Sequence, residues 1–83
     1  MSNFSTCLLV QRHTLTFYFK LRVTQKALCY CVSVVDAGNK TSIFFMRKTI
    51  SRWVLDQPVC YPKWIIDIEE ELGLLISLRE QLN

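Results

Sequence analysis

The chain has 83 residues, and ten Lys or Arg stand against seven Asp or Glu, a formal net charge of +3. It is 51% hydrophobic and 20% charged with only two glycines and two prolines, which excludes a disordered, collagen-like or low-complexity chain. No run approaches the ~20 apolar residues of a membrane-spanning helix, and the length predicts a single small domain, residues 1–83.

In chain order, residues 6–11 (TCLLVQ) predict a first strand. Residues 14–24 (TLTFYFKLRVT) alternate without a break. Leu15, Phe17, Phe19, Leu21 and Val23 take one side, and Thr14, Thr16, Tyr18, Lys20, Arg22 and Thr24 the other. Successive side chains of a strand point to opposite faces, so this is a half-buried strand with one apolar and one basic face. Gln25 and Lys26 predict a weak turn. Residues 27–35 (ALCYCVSVV) predict a strand with Leu28, Tyr30, Val32 and Val34 on one face and Cys29, Cys31 and Ser33 on the other. Asp36, Gly38 and Asn39 make the strongest turn signal of the chain, and residues 41–48 (TSIFFMRK) predict the returning antiparallel strand.

From Ile50 the period changes. Ile50, Trp53 and Val54 fit one helical turn, so residues 50–56 predict a short helix that Pro58 terminates. Pro62 suits a first helical turn. Trp64 or Ile65, Ile68, Leu72, Leu75 or Ile76, and Leu82 then form the apolar stripe of an amphipathic helix over residues 63–82. Asp67, Glu69, Glu70 and Glu71 fall near its positive end. The expected fold is α+β: a three- to four-stranded antiparallel sheet (6–48), a short helix (50–56) and a C-terminal amphipathic helix (63–82) packed on the sheet.

Charge is unevenly placed. Residues 1–55 hold eight cations and one acid, a net of +7, and residues 56–83 hold two cations and six acids, a net of −4. Such asymmetry is a cue for a charged partner, although the halves can also neutralise each other. Tyr18, Lys20 and Arg22 share a strand face, and Lys26, Lys40, Arg47, Lys48 and Arg52 lie at or beyond strand ends. Cations that track phosphates beside aromatics that stack bases bind single-stranded nucleic acid. The candidate contact residues are Tyr18, Lys20, Arg22, Lys40, Arg47 and Lys48, with Tyr30 or Phe44 as further stacking groups. The bland alternative is a solvated sheet face that resists aggregation.

The last helix has more apolar positions than one stripe requires, because Ile66, Leu74 and Leu78 add to it. A partner or dimer interface at Leu72, Leu75, Leu78 and Leu82 accounts for the excess, and burial on two sides within the monomer is the alternative. Enzymatic chemistry has little support. His13 is the sole histidine, Asp36 the sole acid before residue 56, and Glu69 to Glu71 are consecutive on a helix and diverge. Two glycines exclude a glycine-rich phosphate loop. Cys7, Cys29, Cys31 and Cys60 with His13 contain the ligand types of a zinc site. The C-x-C spacing is not that of a zinc knuckle, however, and buried cysteine packing is the commoner use. No cofactor or metal is expected. The first residues lack a charged n-region and Leu8 to Val10 are too short for a signal core, so the expectation is free thiols in a reducing intracellular compartment, cytoplasm or nucleus.

Residues 17–45 resemble the start of a PUR repeat, the nucleic-acid-binding unit echoed in the Whirly class. Phe17, Tyr18 and Phe19 match its opening aromatic strand. Val34, Val35 and Asp36, then Asn39, Lys40, Thr41, Ser42 and Ile43, match its second strand, turn and third strand. Two features depart from the pattern: Gln25, Lys26 and Ala27 replace a basic-glycine turn, and the segment after Pro62 is longer and more apolar than a plain closing helix. The resemblance implies a sheet closed by one helix that binds single-stranded DNA or RNA as a dimer. Small viral or mobile-element accessory proteins have a similar composition.

Overall fold

The structure is a computed structural model, and it describes residues 2–25 and 27–82; of the expected turn at Gln25 and Lys26, Lys26 lies outside them. Five strands form one antiparallel meander in the order β1 (Phe4–Val10), β2 (His13–Val23), β3 (Leu28–Val35), β4 (Thr41–Lys48) and β5 (Trp53–Leu55). A single 3-10 turn (Pro58–Cys60) leads to α1 (Lys63–Asp67) and α2 (Glu69–Leu82).

This corrects the expected architecture in three places. The sheet has five strands, not three or four, and its first strand begins at Phe4. The segment expected as a short helix over 50–56 contains β5, paired to β4 through Met46↔Leu55, Arg47↔Val54 and Lys48↔Trp53. Trp53 and Leu55 are buried and Val54 is less so, the alternation of a strand. The C-terminal helix is interrupted at Ile68, whose φ of −103° and ψ of 8° leave the α region. There Ile68 N–H bonds back three residues to Ile65 and Leu72 N–H four residues to Ile68.

Three tight turns set the register. Gln11 and Arg12 join β1 to β2 with φ of 48° and 71°, the two positive values of a type I′ hairpin. Asp36 begins the β3–β4 turn. Its Oδ1 accepts from the N–H groups of Gly38 (2.9 Å) and Lys40 (3.0 Å), and Asn39 closes the turn with a φ of 63°. Thr49 does the same for the β4–β5 turn, its hydroxyl donating to Arg52 O and accepting from Arg52 N–H.

One face of the sheet makes the core. Phe17, Phe19, Tyr30, Val32, Val34, Phe44, Met46, Trp53 and Leu55 are buried against Ile65, Ile68, Leu72 and Ile76 of the helical segment. The aromatic groups interlock: Phe4 stacks on Phe19 with centroids 4.4 Å apart, and both meet the Tyr30 ring edge-on. Complete burial of Tyr30 and Phe44 removes them as stacking groups for a ligand. Two carboxylates fasten α2 to β5. Glu69 Oε2 accepts from Leu55 N–H (2.8 Å), and Glu80 accepts from Trp53 Nε1 through Oε1 and from Lys48 Nζ through Oε2, each at 2.7 Å. Among the described residues no helix is long and apolar enough to cross a membrane.

Candidate protein and nucleic-acid interfaces

Helices cover the core side of the sheet, so the other side stands open. The register assembles that outer face row by row. Arg22, Cys29, Arg47 and Val54 lie side by side across β2 to β5, then Lys20, Cys31 and Phe45, then Tyr18, Ser33 and Ile43. Strands are about 4.8 Å apart, so Arg22 and Arg47 sit roughly 10 Å from each other across β3. Tyr18, Ile43 and Phe45 are exposed. Arg47 Nε is 3.6 Å from Asp56 Oδ1 with both side chains half exposed, a pair that solvent weakens.

Four of the six candidate nucleic-acid contacts, Tyr18, Lys20, Arg22 and Arg47, therefore share one surface. Lys40 and Lys48 do not. Lys40 follows the turn at the opposite end of β4 from Arg47, and Lys48 points to the core side, bound to Glu80. The exposure of Phe45 and Ile43 on this face was hidden in the apolar run Ile43-Phe44-Phe45-Met46, where alternation cannot be read from residue type.

The four interface leucines also divide. Leu72 is completely buried and belongs to the core. Leu75 is half-buried, whereas Leu78 and Leu82 are 57% and 78% exposed. Leu75, Leu78, Arg79 and Leu82 line a cleft of about 160 Å³ against Phe4, Ser5 and Thr6 of β1, with the Arg79 guanidinium 5.3 Å from the centre of the Phe4 ring. Leu74 is exposed on the other flank of α2, towards Trp53 and Arg52.

Comparison with protein-family models, curated proteins and solved structures found no match.

Titratable groups cluster elsewhere. A cleft of about 500 Å³ at the tips of the two long hairpins is lined by His13, Asp36, Lys40 and Trp64 among others, but Asp36 Oδ1 already holds the two turn amides. Glu80 has its carboxyl held below the ordinary value of 4.5, chiefly by the Lys48 hydrogen bond, with partial burial opposing. Tyr30 has its phenol pushed above 10.0 by burial, with the Glu80 carboxylate adding to the effect. The four cysteines are unbridged. Cys29 and Cys31 look outward from β3, Cys7 from β1 with its Sγ 3.4 Å from Thr16 Oγ1, and Cys60 lies in the 3-10 turn. Among the described residues no three His, Cys, Asp or Glu groups are placed to hold a metal ion.

Proposed function

We propose that the chain is a non-enzymatic protein-interaction module that docks through the C-terminal half of α2. The observation that carries this reading is the exposure of Leu78 and Leu82 beside Leu75 and Phe4, on a helix whose Leu72 and Ile76 already fill the core. Exposed apolar side chains gathered at a cleft mark contact surfaces rather than ordinary scatter. A photo-crosslinking amino acid at position 78, introduced into the full chain in its native cells, should yield an adduct with a protein, and the same group at Asp67 should not. Absence of any protein adduct at position 78 would defeat the reading.

A second reading rests on the outer sheet face. Tyr18, Lys20, Arg22 and Arg47 occupy one open surface with Phe45, the combination of cations and aromatic groups that single-stranded nucleic acid requires. In this reading Tyr18 stacks a base and the three cations neutralise phosphates. The two surfaces lie on different sides of the sheet, so one molecule can use both.

A further inference from the structure

The two edges of the sheet are unlike. β5 is three residues long, and its outward Leu55 N–H is taken by Glu69, so α2 closes that edge. β1 is seven residues long and forms the other edge, and among the described residues no strand pairs with its outer side. Proteins blunt such edges with charge, proline or a bulge. The sequence of β1, Phe4-Ser-Thr-Cys-Leu-Leu-Val10, contains no charge and no proline, and its register with β2 runs unbroken from Phe4↔Phe19 to Val10↔His13.

The register also tells which backbone groups are free. In a two-residue hairpin the flanking residues, here Val10 and His13, exchange both hydrogen bonds. Counting back in twos, Leu8, Thr6 and Phe4 also bond to β2. The same phase continues beyond β1, where Leu21 N–H of β2 donates to Asn3 Oδ1 at 2.7 Å. The N–H and C=O groups of Ser5, Cys7 and Leu9 therefore point away from β2, onto the open edge.

We propose that β1 pairs antiparallel with β1 of a second copy, about a two-fold axis at Cys7, to give a continuous ten-stranded sheet. This rests on the protein-interaction reading of α2 and names its partner. The edge is self-complementary in that register. Ser5 meets the partner's Leu9, Cys7 meets the partner's Cys7, and Leu9 meets the partner's Ser5. These are three pairs of the type that exchanges two hydrogen bonds, six in all. On the core side Phe4 faces the partner's Val10 and Thr6 the partner's Leu8, and the cleft leucines beside Phe4 and Thr6 come to lie along the seam. Charge favours a second copy over an ionic partner. β1 has none, and Arg79, the charged residue of the cleft, sits by Phe4. The axis sends the two copies of Arg79 to opposite ends of the seam, roughly 20 Å apart at the strand rise of about 3.4 Å per residue.

The test uses the full chain. Sedimentation at tens of micromolar should show a dimer of the 9.8 kDa chain. In a Cys29→Ser, Cys31→Ser, Cys60→Ser variant, oxidation with copper phenanthroline should join Cys7 to Cys7, because directly paired residues have Cα atoms about 5.5 Å apart, within disulfide reach. A variant that retains only Cys60 should stay unlinked. Cys7→Pro should weaken association at least tenfold. Its lost N–H faces the open edge, so the monomer's sheet keeps its hydrogen bonds. If that variant fails to fold, the crosslinking pair decides alone. Wild-type protein that remains monomeric near 1 mM, or a dimer whose Cys7 does not crosslink, overturns the proposal. Either of these results combined with a position-78 adduct to a different chain leaves the interaction reading standing. Loss of both removes both.

Discussion

Gly73 of α2 lies directly on the Trp53 carbonyl of β5: a Cβ built at Gly73 would fall 2.7 Å from that oxygen and 3.6 Å from its carbon. Glycine inside a helix costs about 1 kcal/mol against alanine, and here the missing side chain is what lets the helix reach the strand. The same contact puts Glu69 and Glu80 within hydrogen-bonding distance of Leu55 N–H and the Trp53 indole. Helix α2 is therefore seated on the sheet by close backbone approach in its second turn and by a carboxylate near each end.

Gly73→Ala should consequently destabilise the fold despite its better helix propensity. Overpacking against rigid backbone costs about 1–3 kcal/mol, which exceeds the ~1 kcal/mol propensity gain, so the net loss should be about 1 kcal/mol. A domain of this size should melt several degrees lower. Thermal unfolding followed by circular dichroism checks this, and a rise in Tm would show that α2 does not approach Trp53 this closely.

Glu80 makes part of the stability dependent on acid. Its carboxyl is held below 4.5 in the folded protein, first by Lys48, so the folded state binds this proton less readily than the unfolded chain does. The stabilisation is complete above about pH 4.5 and is lost as pH falls through the depressed folded value. Lys48 is nearly half exposed, so solvent screening limits the effect, and Glu80→Gln should cost about 1 kcal/mol at pH 7. Urea unfolding between pH 7 and pH 3 should show a shallower acid dependence in Glu80→Gln than in the wild type. Equal slopes would mean that the bond to Lys48 is not formed in solution.

The hairpin at Gln11 and Arg12 offers a gain rather than a loss. Both residues have positive φ, a region that costs L-residues other than Gly, Asn and Asp roughly 1–2 kcal/mol. Gln11→Asn with Arg12→Gly supplies the pair that a type I′ turn prefers and should raise stability by about 1 kcal/mol, after allowing for the extra freedom of glycine in the unfolded chain. No change in the denaturation midpoint would place a different turn between β1 and β2.

That turn also illustrates what the residues do and do not disclose. The strict alternation of 14–24 and the Asp-Gly-Asn turn made β2, β3 and β4 legible, because eleven residues with one buried face leave a single register. Gln11 and Arg12 carry no turn signal, yet the apolar faces of β1 and β2 force the reversal. Trp53 to Leu55 is too short to display its period, and a Val between two large apolar residues fits a helical turn as well as a strand. The break at Ile68 has no glycine or proline to mark it. Of the candidate surfaces, the outward phase of Lys20 and Arg22 followed from alternation alone. Leu72 stood both in the expected stripe and among the interface candidates, and its burial puts it in the stripe, whereas the capture of Lys48 by Glu80 depended on where α2 crosses the sheet, which no local pattern encodes.

If the outer sheet face binds single-stranded nucleic acid, its cations and its aromatic group should separate in a salt titration. Three phosphate contacts, from Lys20, Arg22 and Arg47, give a slope of log affinity against log salt of roughly −2, so affinity should fall roughly 20-fold between 50 and 200 mM salt. Lys20→Ala with Arg22→Ala should weaken binding at low salt and reduce the slope to roughly −0.7. Arg47 retains its contact there, because its exposed pair with Asp56 is weak enough to exchange for phosphate. Tyr18→Ala should behave differently: it removes stacking worth about 1–3 kcal/mol per base and leaves the slope unchanged. Tyr18 is 57% exposed, so its removal does not disturb the core. Fluorescence anisotropy with labelled single- and double-stranded oligonucleotides reads all three quantities. Tight binding with a slope unaltered by Lys20→Ala and Arg22→Ala would move the site off this face. No binding even at 50 mM salt would leave the charge asymmetry between the two halves as an internal matter, of which the Lys48–Glu80 and Arg47–Asp56 pairs are the visible part.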